Sequence, residues 1–166
     1  MWVVVIVVVV VAMATYLTWI ATRVDRLHAR ASAAYSALDA HSIRRAAAAA
    51  ELGERFALAD VQTAAKQVIG APPDDRATAE NDLTAHLRTA IGAPVRVLEG
   101  DEVEAVVVAS RRLGLARQVH TDQTRDARNM RRHPLVRLFG LARKYPAPAF
   151  FDIDDPTIDD TDLLSR

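Results

Sequence analysis

The side chains able to do chemistry are few in kind and scattered. There is no cysteine, which excludes disulfides, thiolate nucleophiles and Cys-based zinc or redox centres. The five histidines, His28, His41, His86, His120 and His133, include no pair spaced one helical turn apart, so no metal site is expected. His120 falls on an apolar seam and reads as a hydrogen-bonded core residue. The acidic run Asp152 to Asp162 lacks the turn glycine and bidentate glutamate of a calcium loop and reads as a solvated, disordered tail. Residues 111–144 carry ten Arg or Lys against two Asp, a net of +8. With no aromatic interleaving, that stretch points away from nucleic acid and toward a solvated helix face or an anionic lipid surface. No catalytic residue, cofactor-binding residue or metal ligand is expected, and the chain is not expected to be an enzyme.

What positions these groups begins with the N-terminus. All 42 Lys, Arg, Asp and Glu residues lie beyond Ala21, and Val3 to Val11 is an unbroken β-branched run of eight valines and one isoleucine. Trp2 to Ile20, as a helix, is roughly 29 Å long, which matches a hydrocarbon core of about 30 Å. The run could be read as a strand, but nothing apolar downstream could sheathe it. A helix satisfies its own backbone in lipid. Trp2 and the pair Tyr16 and Trp19 sit near the two ends as interfacial aromatics do. Ala12-Met13-Ala14 mimics a signal-peptidase site, yet the basic n-region is missing and the apolar run continues to Ile20. Residues 1–22 are therefore expected to be a transmembrane anchor. Arg23, Arg26 and Arg30 follow the span, which predicts a single-pass cell-membrane protein with its N-terminus outside and the remainder cytoplasmic.

Beyond the anchor the segments carry helical periodicity. Leu27, Ala31, Ala34 and Leu38 share one face, as do Ala49, Leu52 and Phe56, and then Ala79, Leu83, Leu87 and Ala90. The longest seam runs Val106, Ala109, Leu113, Ala116, His120, Gln123, Ala127 and Met130. Breaks are expected at Gly53 to Asp60, Gly70 to Asp75, Gly92 to Pro94 and His133-Pro134. Helices are thus predicted at about 23–57, 60–70, 75–91 and 101–132. Val95 to Leu98 is the only short candidate strand, and it has no partner. The fold class is all-α: one transmembrane helix, an antiparallel bundle of three to four helices over 23–146, and an acidic tail over 147–166.

The segment Ala34-Tyr35-Ser36-Ala37-Leu38-Asp39-Ala40-His41-Ser42-Ile43-Arg44-Arg45 resembles the LemA family, with its aromatic after alanine, aliphatic-Asp pair and basic pair. Ala116-Arg117-Gln118-Val119-His120-Thr121-Asp122 is similar to that family's later Ala-Arg and aromatic segment. Leu138-Phe139-Gly140-Leu141 and Pro148-Ala149-Phe150-Phe151-Asp152 are similar to its closing segment. Ala46 to Ala50 and then Glu51 stand in place of the family's Tyr-Asp-Leu-Ile-Pro-Asn run, which marks a divergent branch. The Arg-rich, Ala-rich composition gives that branch an actinobacterial flavour. The resemblance implies a bacterial membrane-anchored helical bundle without assigned catalysis, acting as a protein-interaction or accessory module. The alternative is an anionic-lipid-binding envelope regulator working through residues 111–144.

Asp39 has no basic residue one turn along its helix, so it is expected either to pair across the bundle, with Arg117 as the best candidate, or to be a simply exposed carboxylate. The expected partners are membrane lipid and an unknown membrane or cytoplasmic protein, with no nucleic acid. If the last long helix returns toward the membrane, Arg131, Arg132, Arg137, Arg143 and Lys144 join Arg23, Arg26 and Arg30 as membrane-surface contacts. The helix expected from Pro134 would either lie in the headgroup region or cap the bundle.

Overall fold

The computed structural model describes residues 1–92, 100–147 and 149–158, and all regular structure among them is helical. Five helices follow in order: α1 (Trp2–Arg55), α2 (Ala59–Gly70), α3 (Arg76–Ile91), α4 (Asp101–Arg132) and α5 (Pro134–Leu138). The Val95 to Leu98 strand candidate, Pro94, Pro148 and residues 159–166 lie outside the described residues. The chain divides into two compact units, Met1–Ala34 with Thr121–Phe150, and Tyr35–His120 with Phe151–Arg166.

In the first unit, residues 2–19 of α1 are exposed almost throughout, the large apolar side chains from Trp2 to Val11 included. This is the one helix among the described residues long and apolar enough to cross a membrane. The hydroxyls of Thr15, Thr18 and Thr22 each donate to the carbonyl one turn back, at 2.9 Å, so these three hydroxyls are already satisfied. Burial starts abruptly at Ile20. Ile20 and Val24 pack with Val136 and Ala142, flanked by Met130, Leu135, Leu141 and Tyr145.

The second unit owes its close packing to the alanines of α1. Ala46, Ala49 and Leu52 pack with Val61, Ala64, Ala65 and Val68 of α2, Leu83 and Leu87 of α3, and Val103, Val106 and Val107 of α4. Small residues at 46 and 49 let the neighbouring helices come near. α1 ends where a Schellman turn closes it: Leu58 N–H bonds to Gly53 C=O at 2.8 Å, with Ala57 left-handed at φ 53°. A Cβ on Gly53 would lie 3.0 Å from the backbone nitrogen of Gln62, so glycine allows α1 and α2 to meet at this corner. The break expected near residues 53–60 is therefore a capped turn. Asp75 occupies the N-cap position of α3 but makes no side-chain cap hydrogen bond.

Within the expected tail, the described residues 149–158 include a packed segment. Its aspartates Asp152, Asp154 and Asp155 are exposed, but Phe151, Ile153, Pro156 and Ile158 are buried in the second unit. Apolar residues alternating with acidic ones gave the segment a way to sit on the helices with its charges in water. Composition alone conceals that pattern.

Candidate functional site

Two constellations of polar groups stand out, one in each unit. In the second unit Arg45 is completely buried. Its Nη1 donates to Glu80 Oε1 at 2.9 Å and Thr84 Oγ1 at 3.0 Å, its Nε to Ser110 Oγ at 2.9 Å, and its Nη2 to the Pro156 carbonyl at 3.4 Å. Two helices, α3 and α4, and the closing segment thus converge on one guanidinium carried by α1. Burial pushes the Glu80 carboxyl above the ordinary range, while the Arg45 charge and its hydrogen bond pull it back. Charge-assisted bonds of this kind are strong, but two charges in a dry core also carry a large desolvation cost. The sequence reading placed Arg45 only within a basic pair. The available signal was the polar run Ser42, Arg45, Glu80, Thr84 and Ser110, all at core-facing helical positions.

The same unit corrects the expected partner of Asp39. Its carboxylate pairs with Arg76 Nε at 2.9 Å, not with Arg117. Arg76 Nη2 also donates to the Ala71 carbonyl at 2.7 Å, tying the loop before α3 to that helix. The closing segment is gripped by its backbone. The Asn81 side chain accepts from the Asp154 N–H at 2.8 Å and donates to the Asp152 carbonyl at 3.5 Å. Arg88 Nη2 donates to the Asp155 carbonyl at 2.7 Å. Tyr35 stands 5.8 Å from the His120 ring and 6.1 Å from that of Phe151. These three rings come from the three sequence segments that carry the family resemblance. His120 is buried, and desolvation pulls its imidazole below the ordinary range. Among the described residues, no group of three or more His, Asp or Glu is placed to hold a metal ion.

The second constellation holds the residues expected at a membrane surface. Arg23, Arg26, Arg30, Arg132, Arg137 and Arg143 are all exposed. The Arg23 guanidinium lies 5.6 Å from the Trp19 ring centroid, and Trp19 stacks on Tyr16 with centroids 6.1 Å apart. Arg131 has a different use. Its Nη1 donates to the carbonyls of Tyr145 at 3.0 Å and Ala142 at 3.1 Å, and lies 3.4 Å from His28 Nε2. It closes the chain after α5 rather than offering a free charge. Lys144 is exposed but paired with Asp25 at 2.9 Å, which raises the lysine's pKa and lowers the aspartate's. His28 stacks on Tyr145 with centroids 4.5 Å apart, and its pKa is lowered by burial and then by the Arg131 charge.

α5 starts as expected, with Pro134 at its first position. It ends in a second Schellman turn, where Leu141 N–H bonds to the Val136 carbonyl at 3.1 Å and Gly140 adopts φ +62°. That turn divides the segment. Val136 and Ala142 face inward, while Leu138 is 76% exposed and Phe139 49% exposed.

No family model, curated protein or solved structure matches this chain.

Proposed function

We propose that this protein is a non-enzymatic helical interaction module held at a bacterial cell membrane by residues 1–22, with an antiparallel bundle as its cytoplasmic part. The LemA-like reading of its sequence belongs to this proposal. The convergence of Tyr35, His120 and Phe151, one from each resembling segment, supports it. The observation that carries the proposal is the continuity of α1. One unbroken helix leads from an exposed, charge-free apolar stretch into residues buried among other helices. Leaving that stretch in water would expose apolar surface far beyond what a monomeric soluble protein tolerates, whereas lipid removes the cost. Arg45 and Glu80, the most deeply buried charged pair among the described residues, are engaged with each other and with structural partners, so their chemistry supports a scaffold.

The test is extraction and topology. The full chain should stay with membranes through alkaline carbonate washing, and a chain lacking residues 1–22 should be released. Release of the full chain by carbonate would refute the tether. The absence of native cysteine lets Glu54→Cys, exposed in α1, report orientation through an impermeant maleimide. Protection in intact cells and labelling in inverted vesicles are expected, and the reverse pattern would overturn the cytoplasmic placement. The interaction role predicts that Lys66→Glu with His86→Glu, both on exposed positions of α2 and α3, abolishes a cross-linked partner seen with the unaltered chain. No cross-linked partner in membranes would refute it.

A further inference from the structure

We infer that residues 134–143 form a membrane-docking collar that seats Leu138 and Phe139 in the headgroup layer of an anionic phospholipid bilayer, beside the exit of the α1 span. The inference rests on the tether reading above and adds a second point of membrane contact to it.

The order of contacts along α1 sets the collar's height. His28 meets Tyr145 and Arg131, Asp25 meets Lys144, and Ile20 and Val24 meet Val136 and Ala142. Moving from 145 back to 136 therefore means moving from residue 28 toward residue 20, about 12 Å along the helix. Ile20 is where exposure ends and burial begins, and Trp19, Tyr16 and the first cation, Arg23, cluster there. Aromatic and basic residues grouped at one end of an apolar span mark the water–lipid boundary. The collar is held at that level.

Its outward chemistry fits the same layer. Val136 and Ala142 cap the packed helices, and the tight turn at Gly140 leaves Leu138 and Phe139 uncovered on the outside. Arg132, Arg137 and Arg143, near them in sequence, are exposed, and so are Arg23, Arg26 and Arg30 on α1. Two exposed apolar side chains in a segment that also exposes several guanidinium groups suit the boundary between acyl chains and anionic headgroups. Arg131 and Lys144, engaged with backbone carbonyls and with Asp25, orient the segment instead of binding lipid.

The experiment uses the full chain in nanodiscs, either of neutral phosphatidylcholine or containing phosphatidylglycerol. Trp2 and Trp19 are the only tryptophans, so their quenching by chain-brominated lipid reads the span. Leu138→Cys, carrying an environment-sensitive fluorophore, reads the collar through lipids with a nitroxide at the headgroup. Both signals should be quenched in anionic discs, with clearly weaker quenching of position 138 in neutral ones. Adding Arg137→Gln and Arg143→Gln should reduce the docking equilibrium by roughly fivefold per residue without changing tryptophan quenching. Quenched tryptophans with an unquenched label in both lipids would overturn the collar and leave the tether standing. Unquenched tryptophans would overturn both. Equal label quenching in the two lipids would overturn the anionic-headgroup assignment.

Discussion

Removing Arg45 should be far more damaging than removing Arg45 and Glu80 together. In Arg45→Met the Glu80 carboxylate remains in a core position with 1% of its side chain exposed and without its cation. Breaking a buried pair from one side typically costs about 3–5 kcal/mol, because the surviving charge is uncompensated. For a chain of this size that corresponds to a melting-temperature fall of roughly 6–20 °C. Glu80→Met should behave similarly by stranding the guanidinium. In the double variant both charges are gone and two unbranched apolar side chains of similar volume take their place. Thr84 keeps its own bond to the Glu80-position carbonyl, 2.8 Å in the native structure, so the hydroxyl is not orphaned. Ser110 and the Pro156 carbonyl each lose one bond, a residual cost of about 1–2 kcal/mol. The double variant should therefore unfold above either single one, with a coupling energy of about 3 kcal/mol or more. Thermal melts followed by helical circular dichroism in one detergent measure all four proteins. Additive losses, or single variants within about 1 kcal/mol of the parent, would refute the buried-pair reasoning.

Ile153→Ala should destabilise by about 2–5 kcal/mol, as truncation of a fully buried aliphatic residue does, and Asn81→Ala by about 1 kcal/mol; denaturant titration measures both. A neutral Ile153→Ala would show that the closing segment does not bear on the core. Ala57→Gly should stabilise by up to about 1 kcal/mol, since the left-handed position that closes α1 penalises a Cβ, and a loss of stability would contradict that geometry. His28 and His120 both have imidazoles lowered by burial, so the unfolded chain binds protons more readily than the folded one. Their contribution is complete above pH 6.5, the ordinary histidine value, and is lost as pH falls through the folded-state values below it. Melting temperature against pH should therefore decline on the acid side, and His120→Gln should flatten part of that decline. An unchanged slope would contradict its burial as neutral imidazole.

The helices were legible because their signals are local. Alternating three- and four-residue steps marked the face of α4, and Val106, Leu113, His120 and Ala127 on that seam are buried. Gly53 and Pro134 marked a stop and a start through backbone geometry. The polar core was not legible, because an arginine looks the same in sequence whether solvated or paired. Only the meeting of residues 35, 39 and 65 positions away converts Arg45 from a surface charge to a core residue. Asp39 failed for the same reason. Helical spacing excluded a local partner, but choosing Arg76 over Arg117 needed the packing of α3 against α1. The closing segment misled through its composition, since four buried apolar residues are outweighed by exposed aspartates in any average.

The two polar constellations answer opposite physical demands. In the second unit the alanines of α1 draw the helices together and leave little apolar volume, so core specificity comes from directional bonds to Arg45. A hydrophobic core of similar shape would tolerate small shifts in helix register. A guanidinium holding Glu80, Thr84, Ser110 and the Pro156 carbonyl does not, because each shift breaks a bond in a dry site. In the first unit the bonds serve exposure. Arg131 holds the carbonyls of Ala142 and Tyr145, Asp25 holds Lys144, and the Schellman turn at Gly140 fixes the bend between them. On that bend Leu138 and Phe139 stand exposed. Such a bend exposes these two side chains to water without a gain in stability. Next to the end of an apolar span, it places them where lipid can cover them.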